Sequence, residues 1–203
     1  DHRDLHSFPT HALPIFDKEV YTDVVKEFKL HQTYFVNKNE LQQLEDAIMN
    51  EDKTAVKPDI VGKSAVDIAK LSGISVPEKT KLLVAEIDGI GKDYPLSREK
   101  LSPVLAMVTA KSTGHALQIC EDTLKFGGLG HTAVIHTEDS QLQQKFGLKM
   151  KSCRVLVNTP SAVGGIGNMY NELIPSLTLG CGSHGRNSIS HNVRSEERRV
   201  GKE

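Results

Sequence analysis

Three things are scarce in this chain: charge of one sign, long apolar runs and paired cysteines. Lys and Arg number 25 against 26 Asp and Glu, a net charge of −1 over 203 residues. No large field therefore draws the protein to nucleic acid or to an anionic membrane surface, and small-molecule partners are the expectation. The longest apolar stretches, such as residues 104–108 and 132–135, are far too short to cross a bilayer. The first residues show no charged-then-apolar leader pattern, so a cytoplasmic address with no membrane partner is expected. Cys120, Cys153 and Cys181 are odd in number, widely spaced and without a Cys-x-x-Cys pair. That pattern speaks against a disulfide framework or structural zinc and for thiols in a reducing compartment. Between residues 17 and 193 no two histidines stand four apart and none precedes a glutamate, so no metal site is expected.

Two phosphate-binding strings also lack what they need. Gly180-Cys181-Gly182-Ser183-His184-Gly185 has the G-x-G-x-x-G spacing, but residues 186–192 offer no helical stripe for its third glycine to open. Gly62-Lys63-Ser64 resembles the end of a P-loop, yet the glycine required five residues earlier is Lys57. A kinase or ATPase reading fails.

What is present is the pattern of an α/β core. At 38% hydrophobic content the chain can bury one domain, or one large lobe of a bigger protein. Val20, Tyr21, Val24, Val25 and Phe28 recur at helical spacing, and a second helix is predicted over residues 39–49 with Leu41, Leu44 and Ile48 inward. Ser64 followed by Asp67 reads as the cap of a third helix, with Ile68 and Leu71 on its apolar stripe and Gly73 as its stop. Residues 82–87, 104–108, 132–135 and 155–157 are short apolar runs rich in β-branched side chains and read as buried strands. Helical patterns over residues 113–126 and 138–146 separate the last three. Alternation of this kind predicts right-handed crossovers and a mostly parallel, twisted sheet with helices on both faces. After Asn158 the chain is loop-rich, with six glycines between 164 and 185, as in loops that build sites.

Two polar residues stand at loop-to-strand junctions. Glu99 lies just before the Ser102-Pro103 break and a strand, where a carboxylate can meet a ligand. A solvated glutamate beside Arg98 and Lys100 is the plain alternative. His131 follows Gly127-Gly128-Leu129-Gly130, a glycine run that ends one helix and turns into the next strand; a proton-transferring imidazole and a structural one both fit. His115 and His136 read as surface or satisfied core residues. For Cys181, set among glycines, no neighbour that would lower its thiol pKa is legible.

Taken in order, Arg98-Glu99-Lys100-Leu101-Ser102-Pro103-Val104, Gly127-Gly128-Leu129-Gly130-His131-Thr132, and Asn158-Thr159-Pro160-Ser161 running into Gly164-Gly165-Ile166-Gly167 resemble one lobe of an aldehyde dehydrogenase. The resemblance is to the CoA-acylating branch found at the front of bifunctional aldehyde-alcohol dehydrogenases, and it spans residues 17–193. It implies the catalytic lobe of that fold, with Glu99 and Leu101 binding the nicotinamide ribose of NAD and His131 near the thioester-forming centre. It further implies that the stretch from Asn158 onward closes the acyl pocket, with Leu179, Cys181 and Gly182 in its wall. His184 and Arg186 depart from the Trp and Gly frequent there. The implied reaction is acetaldehyde plus CoA plus NAD to acetyl-CoA and NADH, run in reverse in fermentation: a cysteine thiolate adds to the aldehyde, hydride passes to NAD, and CoA releases the acyl group.

In the family the nucleophilic cysteine precedes the segment matching residues 17–21, a window that here reads Ser7-Phe8-Pro9-Thr10. The expectation is that residues 1–16 and 194–203 are non-native scars or disordered tails. The nucleophile and the main phosphate-binding half are expected upstream, an iron-dependent alcohol dehydrogenase half downstream, and the isolated chain inactive. A homo-oligomer or filament is expected of the full-length protein. Two rivals stand beside this reading: a non-catalytic oligomerisation or interaction lobe, and a single-function acylating or semialdehyde dehydrogenase.

Overall fold

The computed structural model describes residues 13–167 and 171–173, which group into two units that meet in sequence between Thr123 and Leu124. The first unit holds four strands and four helices: β1 (Ile15–Asp17), α1 (Tyr21–Leu30), β2 (Thr33–Phe35), α2 (Lys38–Ile48), α3 (Ala65–Leu71), β3 (Leu82–Glu86), β4 (Val104–Ala110) and α4 (Thr113–Thr123). The strands form one sheet in the order β1-β4-β3-β2 with every pairing parallel, Leu83 lying opposite both Val104 and Tyr34. β3 and β4 occupy the centre and are almost wholly buried. Their continuous apolar sequence has that cause: a parallel strand covered on both faces has no polar side to alternate with.

Local chemistry sets the helix ends. Asn37 caps α2, its Oδ1 accepting from the amides of Asn39 at 2.9 Å and Glu40 at 3.1 Å, while Glu40 Oε2 accepts from the Asn37 amide at 2.8 Å. This reciprocal box satisfies amides that a helix start leaves without partners. Leu44 and Ile48 are fully buried and Leu41 packs against them, as their spacing predicts. Ser64 caps α3 by accepting from the Asp67 amide at 3.1 Å, and Gly73, at φ +70°, ends it. The inner stripe of α3 is Ala65, Ile68, Ala69 and then Ser72, all buried. Leu71, predicted on that face, is 57% exposed instead. The helical set i, i+3, i+4, i+7 runs through 65, 68, 69 and 72, and residue 71 sits a further 100° round.

A second correction concerns the N-terminal side. Residues 13–16, set aside with the tail, belong to the fold: Leu13 and Ile15 pack against the core, and Ile15–Asp17 pairs with Val108, Thr109 and Ala110. Three residues are too few to show a period, so β1 and β2 leave no readable trace in the sequence.

The second unit contains a π-helical turn (Leu124–Gly128), β5 (Gly130–Ile135), α5 (Ser140–Lys149), β6 (Ser152–Val157) and the single turn α6 (Ser161–Gly164). β5 and β6 pair in parallel, Thr132 opposite Arg154 and Ile135 opposite Val157. Each strand begins before its apolar run, at Gly130 and Ser152. The strand-helix-strand order holds, but the strands are half-buried where buried ones were predicted, with Cys153 exposed and Val157 39% exposed. Among the described residues each has only the other as a ladder partner. Asp139 caps α5 by accepting from the amides of Gln141 and Leu142, which moves the helix start from 138 to 140.

Candidate active site

The loop that enters β4 carries two of the sequence-predicted cofactor residues. A 3₁₀ turn over Pro95–Ser97 closes with the Arg98 amide donating to the Pro95 carbonyl at 3.0 Å. From there the chain alternates sharply in environment: Glu99 is exposed, Lys100 is 3% exposed, and Leu101 is 43% exposed. Leu101 also adopts φ +45°, a left-handed conformation that costs a branched residue about 1 kcal/mol. The loop is tied to its neighbours at that residue and just beyond it. Gly62 donates its amide to the Leu101 carbonyl at 3.2 Å, and Leu83 donates to the Pro103 carbonyl at 3.0 Å, the first rung of the β3–β4 ladder.

Lys100 is the residue of this loop that the sequence misrepresents. Its Nζ donates to the carbonyls of Leu96 at 2.7 Å and Arg98 at 2.8 Å. Burial pushes its pKa down from 10.5 to about 8, the desolvation cost outweighing the favourable charge of neighbouring Glu99. A lysine between two exposed residues carries no sequence signal for burial, since lysines are almost never fully buried unless paired.

At the carboxyl ends of the same strands lies a cleft of about 390 Å³ lined by Glu86, Ile87, Asp88, Met107, Thr109, Lys111 and His115. It contains none of the sequence-predicted site residues and stands at the opposite end of β4 from Glu99, about 20 Å away at strand rise. His115 there is a satisfied side chain, as anticipated: its Nδ1 accepts from the Lys111 amide at 3.1 Å. Tyr21, near the start of α1, donates its hydroxyl to Glu86, and the carboxylate pushes the phenol pKa up to about 12.

In the second unit the backbone of His131 is the second residue of β5. The glycine-rich turn after β6 is built by close approach. A Cβ added to Gly165 would lie 2.6 Å from the Ser161 carbonyl oxygen, and one on Gly164 would lie 2.6 Å from Thr159 Cγ2, distances no real Cβ keeps. Buried Arg154 donates from Nη1 to the Gly165 carbonyl, and Asn171 donates to the Gly164 carbonyl at 2.9 Å. Asn158, at φ +51°, donates its own amide to the Ile135 carbonyl and so joins the ends of β5 and β6. The predicted acyl-pocket residues Leu179, Cys181 and Gly182 lie outside the described residues. The structure thus brings Glu99 and Leu101 together on one loop and puts His131 in the other unit.

No family model matches the chain. Individual relatives do. The chain is 47% identical over 186 residues to an aldehyde-alcohol dehydrogenase of Streptococcus pneumoniae, covering 88% of this chain and 21% of that protein. It is 40% identical to an acetylating aldehyde dehydrogenase from Geobacillus thermoglucosidasius, with a TM-score of 0.82 over 88% of this chain and 39% of that one. A probable aldehyde dehydrogenase from Listeria monocytogenes gives 40% identity and a TM-score of 0.83, over 90% and 40% of the two chains. The chain spans about a fifth of the length of the aldehyde-alcohol dehydrogenases it matches.

Proposed function

We propose that this chain, a homologue of one segment of the acylating aldehyde dehydrogenases, forms the nicotinamide-facing loop and part of the acyl pocket of an acetaldehyde dehydrogenase. The reaction is acetaldehyde, CoA and NAD to acetyl-CoA, NADH and a proton, reversible, with the acetyl-CoA to acetaldehyde direction serving fermentation in the cytoplasm. The observation that carries this reading is the exposed Glu99 carboxylate next but one to the exposed Leu101 on a loop pinned at both ends. The pair fits the group it would meet: a carboxylate has acceptors for both hydroxyls of a ribose diol, and a neighbouring leucine offers an apolar face to a flat ring. NAD, when bound, supplies the hydride acceptor. Glu99 would then hold the ribose, and with it the orientation of the ring relative to the substrate carbon.

His131 is assigned to the thioester-forming centre, where an imidazole can take the proton of the attacking CoA thiol. Leu179, Cys181 and Gly182 are assigned to the acyl-pocket wall. The nucleophilic cysteine, the larger part of the dinucleotide-binding fold and an iron-dependent alcohol dehydrogenase half fall, on this reading, outside the 203 residues. Identity of 47% to an aldehyde-alcohol dehydrogenase, against 40% to the acetylating enzyme, favours a bifunctional parent, and a homo-oligomer or filament is part of the same proposal.

The test is CoA-dependent NADH formation from acetaldehyde by the full-length protein that carries this segment. Glu99→Ala is expected to raise the KM for NAD roughly tenfold, the loss of a charged hydrogen-bond acceptor, and to leave the KM for CoA unchanged. Aldehyde oxidation that does not need CoA would overturn the acylating assignment, and no dehydrogenase activity at all would favour an interaction lobe.

A further inference from the structure

The buried ammonium of Lys100 has no part in the chemistry above, and the geometry points to a positioning role: we propose that Lys100 is the internal strut that holds Glu99 and Leu101 in their cofactor-binding presentation. The inference rests on the reading of Glu99 as a ribose ligand, and it adds a residue that touches neither cofactor nor substrate.

Three observations converge on it. Lys100 lies between the two exposed residues and is itself 3% exposed, so the backbone on either side of it must face outward when its side chain is driven in. Its Nζ binds the carbonyls of Leu96 and Arg98, one at each end of the segment that leads into Glu99. Leu96 lies within the 3₁₀ turn over Pro95–Ser97 and Arg98 directly after it, where so short a turn cannot satisfy its own last carbonyls. On the far side, the Leu101 carbonyl is held by Gly62 while Leu101 sits at φ +45°. A left-handed branched residue persists only where the surroundings over-determine it, and here the restraints are the Lys100 strut before it and the Gly62 amide at it. A simple solvated loop needs none of this. Burying an ammonium carries a desolvation cost that two carbonyl acceptors only partly return, so an apolar residue would serve bare stability as well. The strut makes sense if what it secures is the direction of its neighbours.

The experiment uses the full-length protein with Lys100→Met, which keeps an apolar stem but has no donor, and Lys100→Gln, which has the same reach as Met and retains donors. Each is combined with Glu99→Ala, and NAD affinity is read by equilibrium titration alongside hydrogen exchange at residues 98–101 in the cofactor-free protein. Lys100→Met is expected to weaken NAD binding about tenfold, to speed exchange in the loop, and to cost markedly less when Glu99 is already alanine; Lys100→Gln is expected to recover part of the affinity. Wild-type NAD affinity in Lys100→Met, or losses from the two sites that simply add, would overturn the strut. If Glu99→Ala alone leaves NAD binding intact, the ribose assignment fails instead, and unchanged loop exchange in Lys100→Met then refutes the strut on its own.

Discussion

Asn158 grips the backbone of Thr137 from both sides, its Oδ1 accepting the Thr137 amide at 2.9 Å and its Nδ2 donating to the Thr137 carbonyl at 3.0 Å. One side chain therefore ties the segment after β5 to the segment after β6. Because Asn158 also sits at φ +51°, two substitutions separate its two roles. Asn158→Gly keeps the backbone and loses the clamp, and is expected to cost about 1–2 kcal/mol in urea unfolding. Asn158→Ala adds the left-handed penalty and is expected to cost about 1 kcal/mol more. Equal costs would show that the backbone conformation contributes nothing there.

The turn that follows is intolerant of side chains for a steric reason. Gly165→Ala places a methyl against a backbone oxygen, which cannot rotate away. A destabilisation of about 1–3 kcal/mol is expected. A neutral result in thermal or chemical unfolding would mean that α6 shifts freely.

Lys100 makes stability depend on pH in a defined window. Its pKa is about 8 in the folded chain against 10.5 for the free side chain, so between those values the unfolded state binds more protons. Stability therefore rises with pH across that window as far as this group is concerned, and the full penalty is present below about pH 8. The span is on the order of 3 kcal/mol. Denaturation of the native protein and of Lys100→Met, compared from pH 7 to 10, should show the native protein gaining on the variant as pH rises. A pH-independent difference would contradict the burial of a titrating ammonium.

The two described thiols are expected to differ in reactivity. Cys153 is exposed on β6, whereas Cys120 is half-buried in α4, where burial pushes its pKa up to about 11. At pH 8 only about one Cys120 in a thousand is a thiolate, the reactive form. Alkylation followed by peptide mapping is expected to label Cys153 well before Cys120, and the reverse order would show that α4 opens locally.

Much of the first unit was legible because its signals are local. Ser64 and Asp67 announced a cap, Leu41, Leu44 and Ile48 a helix face, and the runs at 82–87 and 104–108 two central strands. The Asn37 box carries the same kind of signal, an Asn followed three residues later by Glu, and it starts the helix at Lys38, one residue ahead of the predicted Asn39. Glu99 and Leu101 were legible as neighbours on a strand-entry loop. That loop's conformation was not, because it depends on Gly62, which is remote in sequence, and on carbonyls whose partner is a lysine.

By itself, then, the sequence determined the parts whose cause lies within a few residues: helix caps, apolar stripes, central parallel strands and the polar junctions beside them. Only the tertiary structure decided which short segments become strands, since β1 and β2 exist through pairing with Val108–Ala110 and Leu82–Val84. It also decided that Leu71 faces out and that Lys100 faces in. The physical reason is the same in each case: a residue's burial is set by the partners that fold against it, and a carbonyl pair that can receive a buried ammonium exists only once the chain has closed around it.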